Sequence, residues 1–112
     1  MTVSLKVLIP AKSAEATQTT QYTAAVGVTA IIDKFTATNY DTVSRTLSVN
    51  LVSNGGTAGN TNLINKTKTL LASETYTFPE LVGQVLATQD FISTIASSAS
   101  AITIRSSGRE VT

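Results

Sequence analysis

The side chains that could take part in catalysis are few and scattered along the chain. A pair of carboxylates could hydrolyse a glycosidic bond, but the acidic residues form no pair in the sequence. They also lack the D-x-D spacing that is typical of calcium sites. The seven acidic residues are Glu15, Asp33, Asp41, Glu74, Glu80, Asp90 and Glu110. Histidine and cysteine are absent, which excludes triads built on histidine and metal sites built on thiolates. No serine is followed three positions later by lysine, so the Ser-x-x-Lys scheme is also excluded. The sequence therefore predicts no enzymatic activity, no metal and no cofactor.

Two charged residues interrupt the apolar alternation of neighbouring segments. Asp33 shares its parity with Ile31 and Phe35, and Arg45 breaks the apolar parity of the segment that follows. Opposite charges on facing strands attract each other, so the pattern predicts a cross-strand ion pair between Asp33 and Arg45. The acids at positions 41, 74 and 90 lie beside predicted turns, where carboxylates commonly stabilise the turn.

The centre of the predicted fold is the stretch 28–56, which alternates with a period of two. Its second half places Val43, Leu47, Val49 and Leu51 on one parity and Ser and Thr between them, which is typical of a half-buried strand. Residues 39–42, rich in turn formers, join it to an earlier run with the same period. We interpret the stretch as a long antiparallel hairpin at the centre of a sheet.

Shorter alternating segments on either side indicate further strands at 2–9, 18–24, 63–71, 75–78, 90–97 and 101–107. One segment differs, because residues 79–86 have apolar residues at helical spacing behind an N-terminal proline. This spacing predicts a short helix that plugs one end of the sheets with Leu81, Val82, Val85 and Leu86. The glycine-rich residues 53–60 are interpreted as a plain loop, because the Lys-Ser/Thr pair and helix of a phosphate cradle do not follow.

The overall prediction is an all-β protein, a single antiparallel β-sandwich domain over residues 1–112, with about eight strands and one short helix near 79–86. The alternation does not distinguish a jelly-roll from an immunoglobulin-like strand order. Residues 1–16 are predicted to be an N-terminal strand or a docking arm. They lack the apolar length of a signal peptide, and no segment has the length of a membrane span, so we expect a soluble chain without a membrane partner.

Composition favours a component of an assembly. Charged residues make up only 13% of the chain, about half of the usual ~25%, and 32 of the 112 residues are serine or threonine. Such a surface is easily desolvated against a partner. The net charge is +1, and the only basic cluster is Lys66 with Lys68, so we expect no nucleic-acid partner.

The segment 91–96 is the candidate for a subunit interface. It carries apolar residues on both parities, namely Phe91, Ile92, Ile95 and Ala96. A strand whose outer face meets another subunit has this pattern, and so does a strand that is central in its own fold.

The three tyrosines, Tyr22, Tyr40 and Tyr76, are the only aromatic candidates for a sugar-binding platform, and Tyr40 in a turn is expected to be the most exposed.

Two segments resemble small β-sandwich virion proteins of tailed bacteriophages. One runs from Thr29 to Gly59 and ends in Gly-Gly-Thr-Ala-Gly; the other runs from Leu70 to Thr112 and contains Glu-Thr-Tyr, Pro-Glu-Leu-Val-Gly-Gln-Val-Leu and a Ser/Ala-rich terminal hairpin. The resemblance covers about residues 20–112. It rests on these short motifs and their order along the chain and includes no catalytic signature.

The resemblance implies a non-enzymatic structural component of the virion, with a capsid decoration protein as the leading interpretation. A neck or tail protein and a carbohydrate-binding host-attachment module are the alternatives. The implied partners are other copies of the chain, in a homo-oligomer, and other virion proteins such as the major capsid, neck or tail proteins. The implied location is the virion, assembled in the host cytoplasm.

Overall fold

The computed structural model describes all residues 1–112 and contains almost only strands and turns. The one helical element is a 3₁₀ turn, Asn60–Asn62. The prediction of an all-β sandwich is confirmed. The nine strands are β1 (Val3–Ser13), β2 (Thr19–Thr23), β3 (Thr29–Asn39), β4 (Arg45–Val52), β5 (Leu63–Leu70), β6 (Thr75–Tyr76), β7 (Val85–Leu86), β8 (Phe91–Ala96) and β9 (Ile102–Val111).

The strands form two antiparallel sheets whose order is that of a jelly roll. The first sheet has the order β1-β9-β3-β6, with β7 also paired to β3, and the second has the order β2-β8-β4-β5. The first strand thus pairs with the last, β2 with β8, β3 with the short strands β6 and β7, and β4 with β5. These pairings, in which early strands lie beside late ones in two four-stranded orders, are those of a jelly roll and not of an immunoglobulin-like fold.

The predicted central hairpin is wrong, because β3 and β4 belong to different sheets. β3 pairs with β9 in the first sheet, and β4 pairs with β8 and β5 in the second. The buried side chain of Asn39 organises the crossing between them, since its Nδ2 donates to the carbonyl oxygens of Val43 and Leu70 and its Oδ1 accepts from the amide of Asp41. Alternation shows that each strand has one buried face, but it does not show which sheet a strand joins.

A single apolar core of 19 buried residues lies between the two sheets. Its largest side chains are aromatic, and Phe35 and Phe78 meet edge to face with ring centroids 5.0 Å apart. Tyr76 packs on the other side of Phe78 at 4.7 Å. Edge-to-face pairs of this kind add to the stabilisation that burial alone provides.

The predicted helix over 79–86 is also wrong, since this segment forms turns followed by β7. Gly83 has a φ of 86° and its amide donates to the carbonyl of Ile32, while the amide of Ile32 donates to Gln84. The amides of Leu81, Val82 and Gln84 bond to carbonyls three residues earlier, so residues 79–84 form successive turns and no regular helix. Of the four side chains predicted to plug the end of the sheets, Leu81 and Leu86 are buried, whereas Val82 and Val85 are exposed.

Irregularities in β1 and β3 change which residues face the core. In β3 the register shifts between Ile32 and Lys34, so Asp33 is an extra residue opposite β9. In β1 the register shifts between Val7 and Ile9, so that both Leu8 and Ile9 are buried. Such bulges invert the inside–outside phase of a strand. β1 also continues through Pro10 to Ser13, beyond the end of the predicted strand at 2–9, and it is paired with β9 in the first sheet.

Candidate functional site

The predicted ion pair between Asp33 and Arg45 does not form. Asp33 accepts two hydrogen bonds from Arg109 on β9, at 2.9 and 3.0 Å, and Arg45 bonds to Asp41 at 2.8 Å. The reason is the bulge, which turns Asp33 to the outer face of the first sheet, while Arg45 lies in the other sheet. The hydrogen bonds from Arg109 to Asp33 raise the pKa of the guanidinium. The pKa of Asp41 is lowered, first by the backbone amide of Thr42 and then by Arg45.

The remaining carboxylates hold the fold together locally. Asp90 accepts hydrogen bonds from the backbone amides of Ala87 and Asn54, and Glu74 accepts from the amide of Leu71. Glu15 pairs with Lys12 and accepts from Gln21; these hydrogen bonds lower the pKa of Glu15. Glu80 accepts from Asn65 and from the hydroxyl of Tyr76, and its pKa is lowered in that order of cause. No cluster of three metal-binding side chains occurs in the fold.

Only half of the residues predicted at the subunit interface point away from the core. Ile92 and Ala96 are 0% and 3% exposed and belong to the core between the sheets. Phe91 and Ile95 lie on the outer face of β8 and are half-buried. The mixed pattern of this strand therefore reflects a central position, with β2 on one side and β4 on the other. A contact through Phe91 and Ile95 stays a prediction.

A buried polar network covers the outer face of the second sheet. Asn50, 2% exposed, donates from Nδ2 to the carbonyl of Gly59 and to Oδ1 of Asn62. Gln18 donates to the hydroxyl of Ser93 on the neighbouring strand at 2.8 Å. These contacts fasten the glycine-rich loop down on the sheet. Residues 53–59 form neither strand nor helix, as the sequence predicted.

The three tyrosines do not form a common platform. Tyr22 is half-buried and donates from its hydroxyl to Glu110; its pKa is raised, first by burial and then by this carboxylate. Tyr76 lies under Lys68, whose Nζ is 4.3 Å from the ring centroid. Tyr40 is the most exposed of the three, at 51%, and its hydroxyl is hydrogen-bonded to Ser13. The carbohydrate-binding alternative stays a prediction.

The outer face of the first sheet carries the most exposed apolar strand residues of the molecule. Val3, Leu5 and Val7 on β1 are 52%, 85% and 44% exposed; we call them the β1 row. The register places Leu5 beside Arg109, Arg109 beside Ile31, and Ile31 beside Val85, so this face continues across the sheet. The sequence indicated the alternation of the β1 row but not that it faces outward, because a buried row and an exposed row have the same period.

β1 is an edge strand of the first sheet, and its outer edge has no neighbour. Thr2 and Thr112 exchange both backbone hydrogen bonds, at 3.0 and 2.9 Å. Because such pairs alternate along an antiparallel ladder, the amides and carbonyls of Val3, Leu5 and Val7 point away from β9. The exposed side chains and the unpaired backbone groups therefore belong to the same residues.

No protein family matches this chain, and no curated protein does. Solved structures that are similar to the chain include those of the Gx and Gt strains of infectious bursal disease virus, with 14% identity and TM-scores of 0.48 and 0.36. The alignments cover 97% of this chain and 30% of the viral chains, so the chain spans about a third of their length. Similarity this low does not identify a family. No helix here has the length and hydrophobicity needed to cross a membrane.

Proposed function

We propose that this protein is a non-enzymatic structural component of a bacteriophage virion, and that it decorates the capsid through repeated protein–protein contacts. The observation that carries the proposal is the outer face of the first sheet, where the β1 row is exposed on a strand whose outer edge has no neighbour. A contiguous row of exposed apolar side chains is typical of protein–protein contact sites, whereas scattered single ones are common on any surface.

The rest of the surface supports the same role. With 13% charged residues and a net charge of +1, the chain loses little hydration energy when it is packed against identical neighbours, because few ions must be desolvated. Residues 20–112 resemble small virion proteins of tailed bacteriophages, and this resemblance is the reason for proposing a phage particle as the place where these contacts form.

Purified phage particles provide the test. Quantitative mass spectrometry of intact virions, separated heads and separated tails should find the protein in the head fraction, at a copy number that scales with the major capsid protein. Enrichment in the tail or neck fraction at a few copies would favour the neck or tail alternative. Absence from purified virions, with the protein abundant in the infected cell, would refute a structural role.

A further inference from the structure

We propose that two copies of this chain pair through the outer edge of β1, in antiparallel register with Leu5 opposite Leu5 on the two-fold axis. The proposal concerns the free protein, so it does not depend on the virion role. Its basis is that the backbone, side chains and charges of residues 3–7 all fit the same self-pairing.

The backbone fits first. The unpaired amides and carbonyls are those of Val3, Leu5 and Val7, at every second position before the bulge at Leu8. In a register centred on Leu5, the residues Val3 and Val7 face each other, and each pair exchanges both of its hydrogen bonds. The pairing uses every free group of the β1 row and ends where the bulge and Pro10 disrupt the edge.

The side chains and charges fit the same register. Lys6 is the only charged residue before Lys12, and pairing about Leu5 places it opposite Ser4 of the second copy. A register centred on Lys6 would bring two lysines face to face, which destabilises a sheet. On the outer face, the apolar surface of one sheet would continue into that of its partner through the two Leu5 side chains.

The other sheet edges are protected against such pairing. β5 carries Lys66 and Lys68 and is interrupted at Thr67, which has a φ of 45°. β2 has five residues, and β6 and β7 have two each. Charges, irregularities and short strands are the means by which sheet proteins prevent edge pairing, and the first half of β1 has only Lys6. Since natural edges are rarely left open, the β1 edge is the one with a partner.

The affinity is tested by sedimentation equilibrium on the whole chain, from about 10 μM to about 1 mM, the range of weak interfaces. The mass should rise with concentration from 11.7 kDa towards its double. Leu5→Lys places two cations at the axis and should weaken dimerisation at least tenfold. Val26→Lys is the matched control, because Val26 is exposed (76%) in the turn before β3 and is not part of β1, and it should dimerise as the wild type does.

Cysteine cross-linking tests the register, since the chain has no cysteine of its own. Hydrogen-bonded antiparallel pairs have Cα atoms about 5.5 Å apart, which is within the range that a disulfide spans. Leu5→Cys should therefore form a disulfide-linked dimer under mild oxidation, while Ser4→Cys should not, because Ser4 faces Lys6. A wild type that stays monomeric throughout, a dimer that survives Leu5→Lys, or cross-linking through Ser4→Cys in place of Leu5→Cys would each overturn the proposal.

Discussion

Gly108 lies where two strands of the first sheet come too close for any side chain. A Cβ atom built on Gly108 would be 2.0 Å from the carbonyl oxygen of Ile31 and 3.0 Å from Cδ1 of Leu8. Real Cβ atoms essentially never approach a neighbour more closely than 3.0 Å. We therefore predict that Gly108→Ala forces β9 and β3 apart by about 1 Å, since the nearer contact must relax from 2.0 to 3.0 Å.

The cost follows from the ladder that this movement breaks. A backbone hydrogen bond near 2.9 Å that is stretched by about 1 Å lies outside bonding distance, and each buried group left unpaired costs about 1–3 kcal/mol. The second contact, with Cδ1 of the buried Leu8 on β1, would be 3.0 Å and leaves little room on that side of the new methyl group. Overpacking strain adds about 1–3 kcal/mol, so we expect the free energy of unfolding of Gly108→Ala to fall by about 3 kcal/mol or more. For a domain of this size, that lowers Tm by roughly 12 °C or more.

Urea denaturation followed by far-UV circular dichroism measures this loss. The matched control is Gly59→Ala, because Gly59 has an extended backbone with a φ of −167° and its nearest neighbour, the carbonyl oxygen of Thr57, would be 3.9 Å from the new methyl group. That variant should be neutral or slightly more stable. A loss below about 1 kcal/mol for Gly108→Ala would contradict the reasoning, because such a value means that the strands adapt to the methyl group without breaking hydrogen bonds.

Two further predictions concern buried polar contacts. Asn50→Ala removes the two hydrogen bonds that the buried amide donates to the carbonyl of Gly59 and to Oδ1 of Asn62. We expect the free energy of unfolding to fall by about 1–3 kcal/mol and the loop 53–62 to be proteolysed faster. Asn60→Ala, exposed in the same loop, should change neither, and equal proteolysis of the two variants would argue against the network. The pKa of Tyr22 is raised by burial and by Glu110, so the folded state favours the neutral phenol and loses stability as pH rises above about 10. The wild type should lose stability with pH more steeply than Tyr22→Phe in alkaline urea titrations, and parallel curves would count against this assignment.

The sequence was sufficient to predict strands but not their arrangement. Most strands lie within a few residues of their predicted positions, because alternation reports one buried face wherever it occurs. The pairing partners are set by contacts between residues far apart, such as Ala30 with Glu110, which alternation does not encode. The central hairpin was therefore wrong even though both of its strands exist.

Bulges explain the errors in side-chain direction. Asp33 was assigned to the buried parity because Ile31 and Phe35 share it, yet only Phe35 faces the core. The bulge at Asp33 changes the phase between them, and it can be recognised only from the register against β9. Gly108 lies opposite this bulge, so the close approach of the backbones and the outward turn of Asp33 towards Arg109 occur together.

The candidate interface illustrates why function was harder to predict than fold. Ile92 is as apolar as Leu5, but it is fully buried, whereas Leu5 is 85% exposed. An apolar residue in an alternating strand is by default assigned to a core, and only the solvent exposure of the folded chain shows that one row has no partner within the molecule. Because the unpaired backbone groups belong to the same three residues, the surface that the core leaves uncovered is also the surface that has hydrogen bonds left to make. That coincidence, more than apolar character alone, is why we propose the β1 row, and not Phe91 and Ile95, as the contact site.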